Sequence, residues 1–311
     1  MRRFFFRQAP LQALVLALLL LPLASQADEY WHPRNYGTAA RQAIMKDLYV
    51  NPVTGAATFQ GKDHVHQLYK GWLHQPQDRG NGRTVFIKEH NPAMIFGGDS
   101  FDNPIGEAVA HKLDVMLRGA YVPPAANRRW VQVDGRTTDY STVILGIQNH
   151  KSSWGHDAGK YRPWNVEMAA SDIAVRGALL GNRDIMHNPN IRLGEHWVDG
   201  KKSVIALDWA GMFKADQRLE HGAAIWRSPI KRFNMATYQA LKKLDYNGIK
   251  REMCDSTVNC WLADWQINRI LETRNGIVGY IDERVRRKGA ENVFFRKPDG
   301  AWDPGPYGWL D

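Results

Sequence analysis

Four polar residues hold positions where they could do chemistry together. Lys88 closes the short β-rich run Val85-Phe86-Ile87, and Glu107 follows on the next helical segment. Asp184 stands in a loop after a helical stretch, and Asp208 ends a strand. Phosphoryl transfer uses this inventory. A lysine oriented by a glutamate grips nucleotide phosphates, one aspartate accepts the hydroxyl proton, and another holds the metal that offsets developing charge. Each residue alone is unremarkable, since a strand-end lysine is ordinarily a solvated charge. Their order, spacing and division between two halves of the chain carry the reading.

Other chemistries find less support. Eleven histidines invite a metal centre, with His64 and His66 flanking Val65, His90 after Glu89, and His156 beside Asp157. No His-Glu-x-x-His occurs and no histidine pair has helical i, i+4 spacing, so scattered surface histidines explain them better. A serine hydrolase lacks its Gly-x-Ser-x-Gly. Twelve tryptophans, Trp302 and Trp309 among them, could stack on sugars or peptides in a secreted binding module.

The elements that must position the four residues are legible in outline. A helix is expected over 38–48, with turn signals at Asn51-Pro52 and Thr54-Gly55. Strand-like patterns at 64–72 and 84–88 flank a turn at 78–82. Ile105, Val109, Leu113 and Met116/Leu117 recur at helical spacing, with Glu107 off that stripe. Tyr121-Val122-Pro123-Pro124 ends this helix, because proline cannot continue it. Strands follow at 130–133 and 141–148, and a Gly-, Ser-, His- and Lys-rich linker at 149–163. Beyond it, a long helix reaches Gly181, a polar loop leads to a strand at 203–207, and helices are expected at 235–244, 261–271 and 277–285. The organisation is α+β: residues 28–149 a β-rich lobe, 150–293 a helical lobe, and 294–311 an irregular tail with Pro298, Pro304 and Pro306.

The start of the chain reads as an export signal over residues 1–27. Arg2, Arg3 and Arg7 precede an apolar run from 11 to 23, and Ser25-Gln26-Ala27 has the small-x-small form that signal peptidase reads. The apolar run is too short for a comfortable membrane span. A soluble periplasmic or secreted protein is expected, with no stable membrane insertion after cleavage. Losing three arginines lowers the formal charge from +9 to +6, and no dense Lys/Arg block reads as a nucleic-acid arm. In an oxidising compartment the spacing of Cys254 and Cys260 suggests a disulfide closing a small loop.

Two stretches carry a family resemblance. Asn103-Pro104-Ile105-Gly106-Glu107-Ala108-Val109-Ala110-His111-Lys112-Leu113-Asp114, running on to Val122-Pro123-Pro124, resembles the αC-helix region of the secretory-pathway kinases, the Golgi casein kinase and its relatives. Ser171-Asp172-Ile173 through Gly181-Asn182-Arg183-Asp184 resembles that family's helix and catalytic loop, and Ala206-Leu207-Asp208 its metal-binding strand end. Similar layouts occur in type II phosphatidylinositol 4-kinases, actin-fragmin kinase and HipA-type kinases.

The resemblance implies a bilobal protein kinase-like fold that uses ATP with Mg²⁺ or Mn²⁺ and phosphorylates a protein or glycan hydroxyl. Lys88 would meet the α/β phosphates and pair with Glu107. Asp184 would be the catalytic base and Asp208 a metal ligand, with Asn190 or Asn188 as the second. The hinge near 145–148, including Gln148, would meet the adenine. The chain departs from the family pattern in four places. Asp184 is followed by Ile185-Met186-His187 where relatives have Arg-His, and the usual asparagine position is Pro189. Asp208 is followed by Trp209-Ala210-Gly211-Met212-Phe213, not a standard Asp-Phe-Gly, and no glycine-rich phosphate loop of the usual form precedes Lys88. The alternative is a catalytically inactive kinase-like protein or tryptophan-rich secreted binding module.

Overall fold

The computed structural model describes residues 39–59, 67–73, 83–90, 105–147, 163–182, 185, 190–195, 202–213, 230–254, 260–297 and 299–303. The 1–27 signal, nearly all of the 149–163 linker, Gln148, Asp184, Asn188, His64, His66 and His156 lie outside the described residues.

A five-stranded antiparallel sheet forms the first half. It comprises β1 (Val53–Thr58), β2 (Leu68–Leu73), β3 (Arg83–Glu89), β4 (Ala125–Arg128) and β7 (Ser141–Leu145), in spatial order β1-β2-β3-β7-β4. β5 (Gln132–Val133) and β6 (Arg136–Thr137) make a small hairpin around Asp134-Gly135, both at positive φ as a two-residue turn demands. β3 is central, with Lys88 opposite Leu68 on one side and Thr142 on the other. Pleating sends alternate side chains to opposite faces. Val85 and Ile87 therefore bury in one core with Ile44, Met45 and Leu48 of helix α1 (Ala39–Val50). Phe86 lies on the opposite face of β3, with Lys88, and packs on the larger core of the molecule.

Helix α2 (Ile105–Met116) belongs to that larger core. It packs on β4 and β7 on the sheet side, and on α3 (Pro163–Leu180) and α5 (Tyr246–Met253) on the other. Burial consequently runs unbroken from Ile105 to Asp114, so the polar side of the helix is interior as well as its apolar stripe. The rest of the second half comprises the hairpin of β8 (Ile191–Glu195) and β9 (Lys202–Ala206), then α4 (Met235–Lys243), α5, α6 (Asp264–Lys288) and α7 (Ala290–Val293). Asn234 caps α4 by accepting from the Ala236 N–H, and Asp245 caps α5 by accepting from Gly248. The fold is thus α+β, an antiparallel sheet followed by a largely helical half.

Several local expectations change. Thr54-Gly55 reads as a turn but lies inside β1, where Gly55 at φ +60° sits in the register shift between Thr54 and Ala57. The glycine marks a bulge rather than a chain reversal. The two helices expected at 261–271 and 277–285 are one, because a side chain at Gly276 would meet nothing and the glycine costs only helix propensity. The polar loop after Gly181 contains β8, and 246–253 is helical. Cys254 and Cys260 form the expected disulfide, and the Trp261 N–H donates to Met253 O across its base. In the tail, Phe294 bridges to Phe233 and Arg296 to Trp302.

Candidate active site

Three of the four singled-out side chains meet. Lys88 Nζ donates to Glu107 Oε1 at 2.8 Å and to Asp208 Oδ1 at 2.9 Å. The lysine comes from the central strand, the glutamate from the first turn of α2, and the aspartate from the chain just after β9. Lys88 and Glu107 are buried, whereas the Asp208 side chain is 50% exposed. Burial pulls the Lys88 ammonium down, but the Glu107 and Asp208 carboxylates outweigh it and hold the pKa above its ordinary value. Burial pushes the Glu107 carboxyl up and the Asp208 charge adds to this, against the Lys88 ammonium and the Trp209 N–H.

The backbone around Asp208 is specialised. Asp208 has φ +64°, a left-handed conformation costly for most side chains and commoner for aspartate and asparagine. Its carbonyl accepts from Asn182 Nδ2 at 3.3 Å. The next residue, Trp209, is fully buried, and its indole N–H donates to Ala206 O at 3.1 Å. A Cβ at Gly106 would overlap the Trp209 carbonyl oxygen, so glycine is what lets the first turn of α2 lie directly on this segment. Glu107 is thereby presented to Lys88 and to the Trp209 N–H together.

The second half supplies the other wall. Gly181 at φ +62° ends α3, with the Asn182 N–H returning to Gly177 O at 2.8 Å. This geometry turns Asn182, fully buried, toward Asp208. Ile185 is also fully buried, and a side chain at Gly177 would overlap it, so the residue following Asp184 is packed on α3. Asn190 O accepts the Leu207 N–H at 2.7 Å, which sets Asn190 beside the strand end carrying Asp208. Asp184, Asn188 and Gln148 lie outside the described residues.

Asp208 is the accessible carboxylate of this cluster. Lys88, Glu107 and Asp208 together carry one net negative charge when ionised, and a half-exposed carboxylate is an oxygen ligand suited to Mg²⁺ or Mn²⁺. Among the described residues no group of three His, Cys, Asp or Glu side chains could cage a metal. His90 serves the sheet instead, its Nε2 lying 2.6 Å from Thr142 Oγ1. Of the tryptophans, Trp209 and Trp261 are core residues, while Trp72, Trp130, Trp265 and Trp302 are exposed.

Sequence reasoning passed over Asn182, Gly106 and Trp209 as individual contributors, although each stands beside a residue it did single out. The Leu-Asp and Val-Pro-Pro elements also acquire a physical meaning. Asp114 Oδ2 accepts from the Tyr121 and Val122 N–H groups at 2.8 and 3.1 Å, and the two following prolines have no N–H to satisfy. The Tyr121 carbonyl then accepts from the Ala206 N–H at 2.8 Å, tying this turn to β9 just ahead of Asp208.

This arrangement is that of a kinase-like fold. The chain is similar to the solved structure of the Golgi casein kinase, with a TM-score of 0.56 and 13% identity over 83% of this chain and 78% of that one. The Golgi casein kinase with Mn and ADP bound gives 0.58 and 12%, covering 96% of both chains. The hydra Fam20 structure with sugar gives 0.62 and 14%, covering 88% of this chain and 99% of that one. No protein-family model matches the chain, and no curated protein matches its sequence.

Proposed function

We propose that the chain is an exported phosphotransferase that moves the γ-phosphoryl group of ATP to a hydroxyl of a protein or glycan. The observation that carries this reading is Lys88 held by Glu107 and Asp208 at once, from three separate elements. Lys88 grips the α/β phosphates, and Glu107 keeps its ammonium aimed at them. Asp184 takes the proton of the acceptor hydroxyl as its oxygen bonds to phosphorus and the bond to the ADP leaving oxygen breaks. Asp208 holds Mg²⁺ or Mn²⁺, with Asn190 or Asn188 as the second ligand. Bound there, the ion neutralises charge on the phosphates. The segment ending at Gln148 meets the adenine.

Solved structures of similar fold include one with Mn and ADP bound, which supports nucleotide and metal use here. Export is supported by the signal-like start and by the Cys254–Cys260 disulfide, a bond typical of oxidising compartments. No described helix is long and apolar enough to cross a membrane.

The test uses the mature protein with labelled ATP, Mg²⁺ or Mn²⁺, and casein or oligosaccharide acceptors. Label transfer that disappears in Asp184→Ala, with a metal-dependent ATP thermal shift that disappears in Asp208→Ala, is the expected result. No nucleotide-induced shift with either metal would overturn the reading.

A further inference from the structure

We propose that Arg176 is a positioning residue that locks α2, and with it Glu107, to the helix leading into the catalytic loop. The inference rests on the phosphotransferase reading, in which Glu107 aims Lys88. Arg176 is 1% exposed near the C-terminal end of α3 and has donor contacts to two elements. Its Nε donates to Asp114 Oδ1 at the end of α2. Its Nη2 donates to Leu117 O at 3.2 Å, one residue past that helix. Its Nη1 donates to Asp172 O at 2.9 Å on its own helix.

The surroundings are built to hold this guanidinium. Asp172 Oδ2 accepts from Tyr121 OH at 2.8 Å and from Asn234 Nδ2 at 3.1 Å, and the Tyr121 ring lies 5.2 Å from Arg176. A Cβ at Gly119 would overlap both Asp114 Oδ1 and Arg176 Nη2, so glycine leaves the room the pair occupies. Asp114 meanwhile holds the Tyr121–Val122 turn through its other oxygen.

These contacts have a geometric consequence. α2 carries Glu107 in its first turn and Asp114 in its last, while α3 carries Arg176 one turn before Gly181 and Asn182. A rigid α2 pinned at Asp114 cannot rotate or slide without moving Glu107 off Lys88. One buried ion pair therefore sets the register between the Lys88–Glu107 side of the site and the Asn182–Asp208 side. The phosphate grip is assembled before nucleotide arrives. No swing of α2 is required to complete it.

The experiment is a double-mutant cycle on the full mature protein, crossing Arg176→Lys with Glu107→Gln. Arg176→Lys keeps the charge and loses the forked contacts, which limits the risk of misfolding. Turnover per folded molecule should fall about tenfold or more in Arg176→Lys, with the KM for ATP changed less than about twofold. In the Glu107→Gln background the same substitution should cost less than about twofold, because a residue acting through Glu107 has nothing left to position. Additive losses, or a fall that tracks only the folded fraction, would overturn the proposal.

Gly119→Ala provides a second variant, since it pushes the pair apart without altering charge. Hydrogen exchange of 105–116 should quicken in both variants by about tenfold while 264–288 is unchanged; equal protection of 105–116 also overturns the lock. If the unaltered protein shows no ATP turnover, the phosphotransferase reading falls, and exchange of 105–116 still decides whether Arg176 holds α2.

Discussion

Lys88 Nζ lies 2.9 Å from Asp208 Oδ1, although 120 residues separate them in the chain. A central strand and the end of a hairpin in the other half are thus joined at one ammonium, which Glu107 shares from a third element. A buried charge persists only when it is paired and hydrogen-bonded. Lys88 meets that condition only in the folded protein.

Removing the ammonium strands Glu107. Lys88→Met should destabilise the protein by about 3–5 kcal/mol, the usual cost of breaking one side of a buried pair. Lys88→Met with Glu107→Gln should recover most of this while remaining inactive. Urea melts of the three proteins check the stability. Equal destabilisation of the single and double variants would show that the pair is not the cause.

The raised Glu107 carboxyl implies an acid-side loss of activity. On lowering the pH, Glu107 takes up a proton before an ordinary glutamate would, and its neutral form no longer holds Lys88. Because the folded pKa lies above the unfolded one, this group's contribution to stability is full at low pH and is lost as pH rises through the folded value. As pH falls, turnover should therefore begin to decline at a pH higher than an ordinary glutamate would set, while protonation of this group does nothing to lower Tm. A pH–rate profile with parallel thermal melts measures both, and Glu107→Gln should remove that limb.

Gly106→Ala tests the close approach of α2 to the Asp208 segment. The added methyl would overlap the Trp209 carbonyl, and overpacking of this kind costs about 1–3 kcal/mol. The metal-dependent ATP thermal shift should shrink with it. An unaltered melt and an unaltered shift would mean that α2 has room to give.

The disulfide should matter locally and globally. Closing so short a loop is worth about 2 kcal/mol, so Cys254→Ser/Cys260→Ser should melt lower by roughly 4–8 °C. Next to it, Lys112 Nζ donates to Glu252 O at 2.7 Å and lies 4.1 Å from the Trp261 ring centroid. Tryptophan emission in Lys112→Met should shift, because it alters the surroundings of Trp261 while the disulfide stays intact. Differential scanning calorimetry with and without reductant measures the bond's share.

The sequence by itself determined the residue types, their order and most element types. A β-rich run carrying Lys88, a periodic helix carrying Glu107, a helix stopping at Gly181 and a strand stopping at Asp208 follow from period, propensity and chain breakers, all of which are local. The pairing of Cys254 with Cys260 was also legible, because few residues separate them. Tertiary structure alone decided that Glu107, off the apolar stripe, faces inward. The stripe records one buried face, whereas α2 is enclosed on all sides by the sheet, α3 and α5. It likewise decided that Gly55 is a bulge and Gly276 lies within a continuous helix. The same residue type serves turn, bulge and helix interior, and only the neighbours distinguish them. Arg176 and Asp114 were the least legible. They lie 62 residues apart, each ordinary in its own helix, and their meaning arises only where α2 and α3 are packed together.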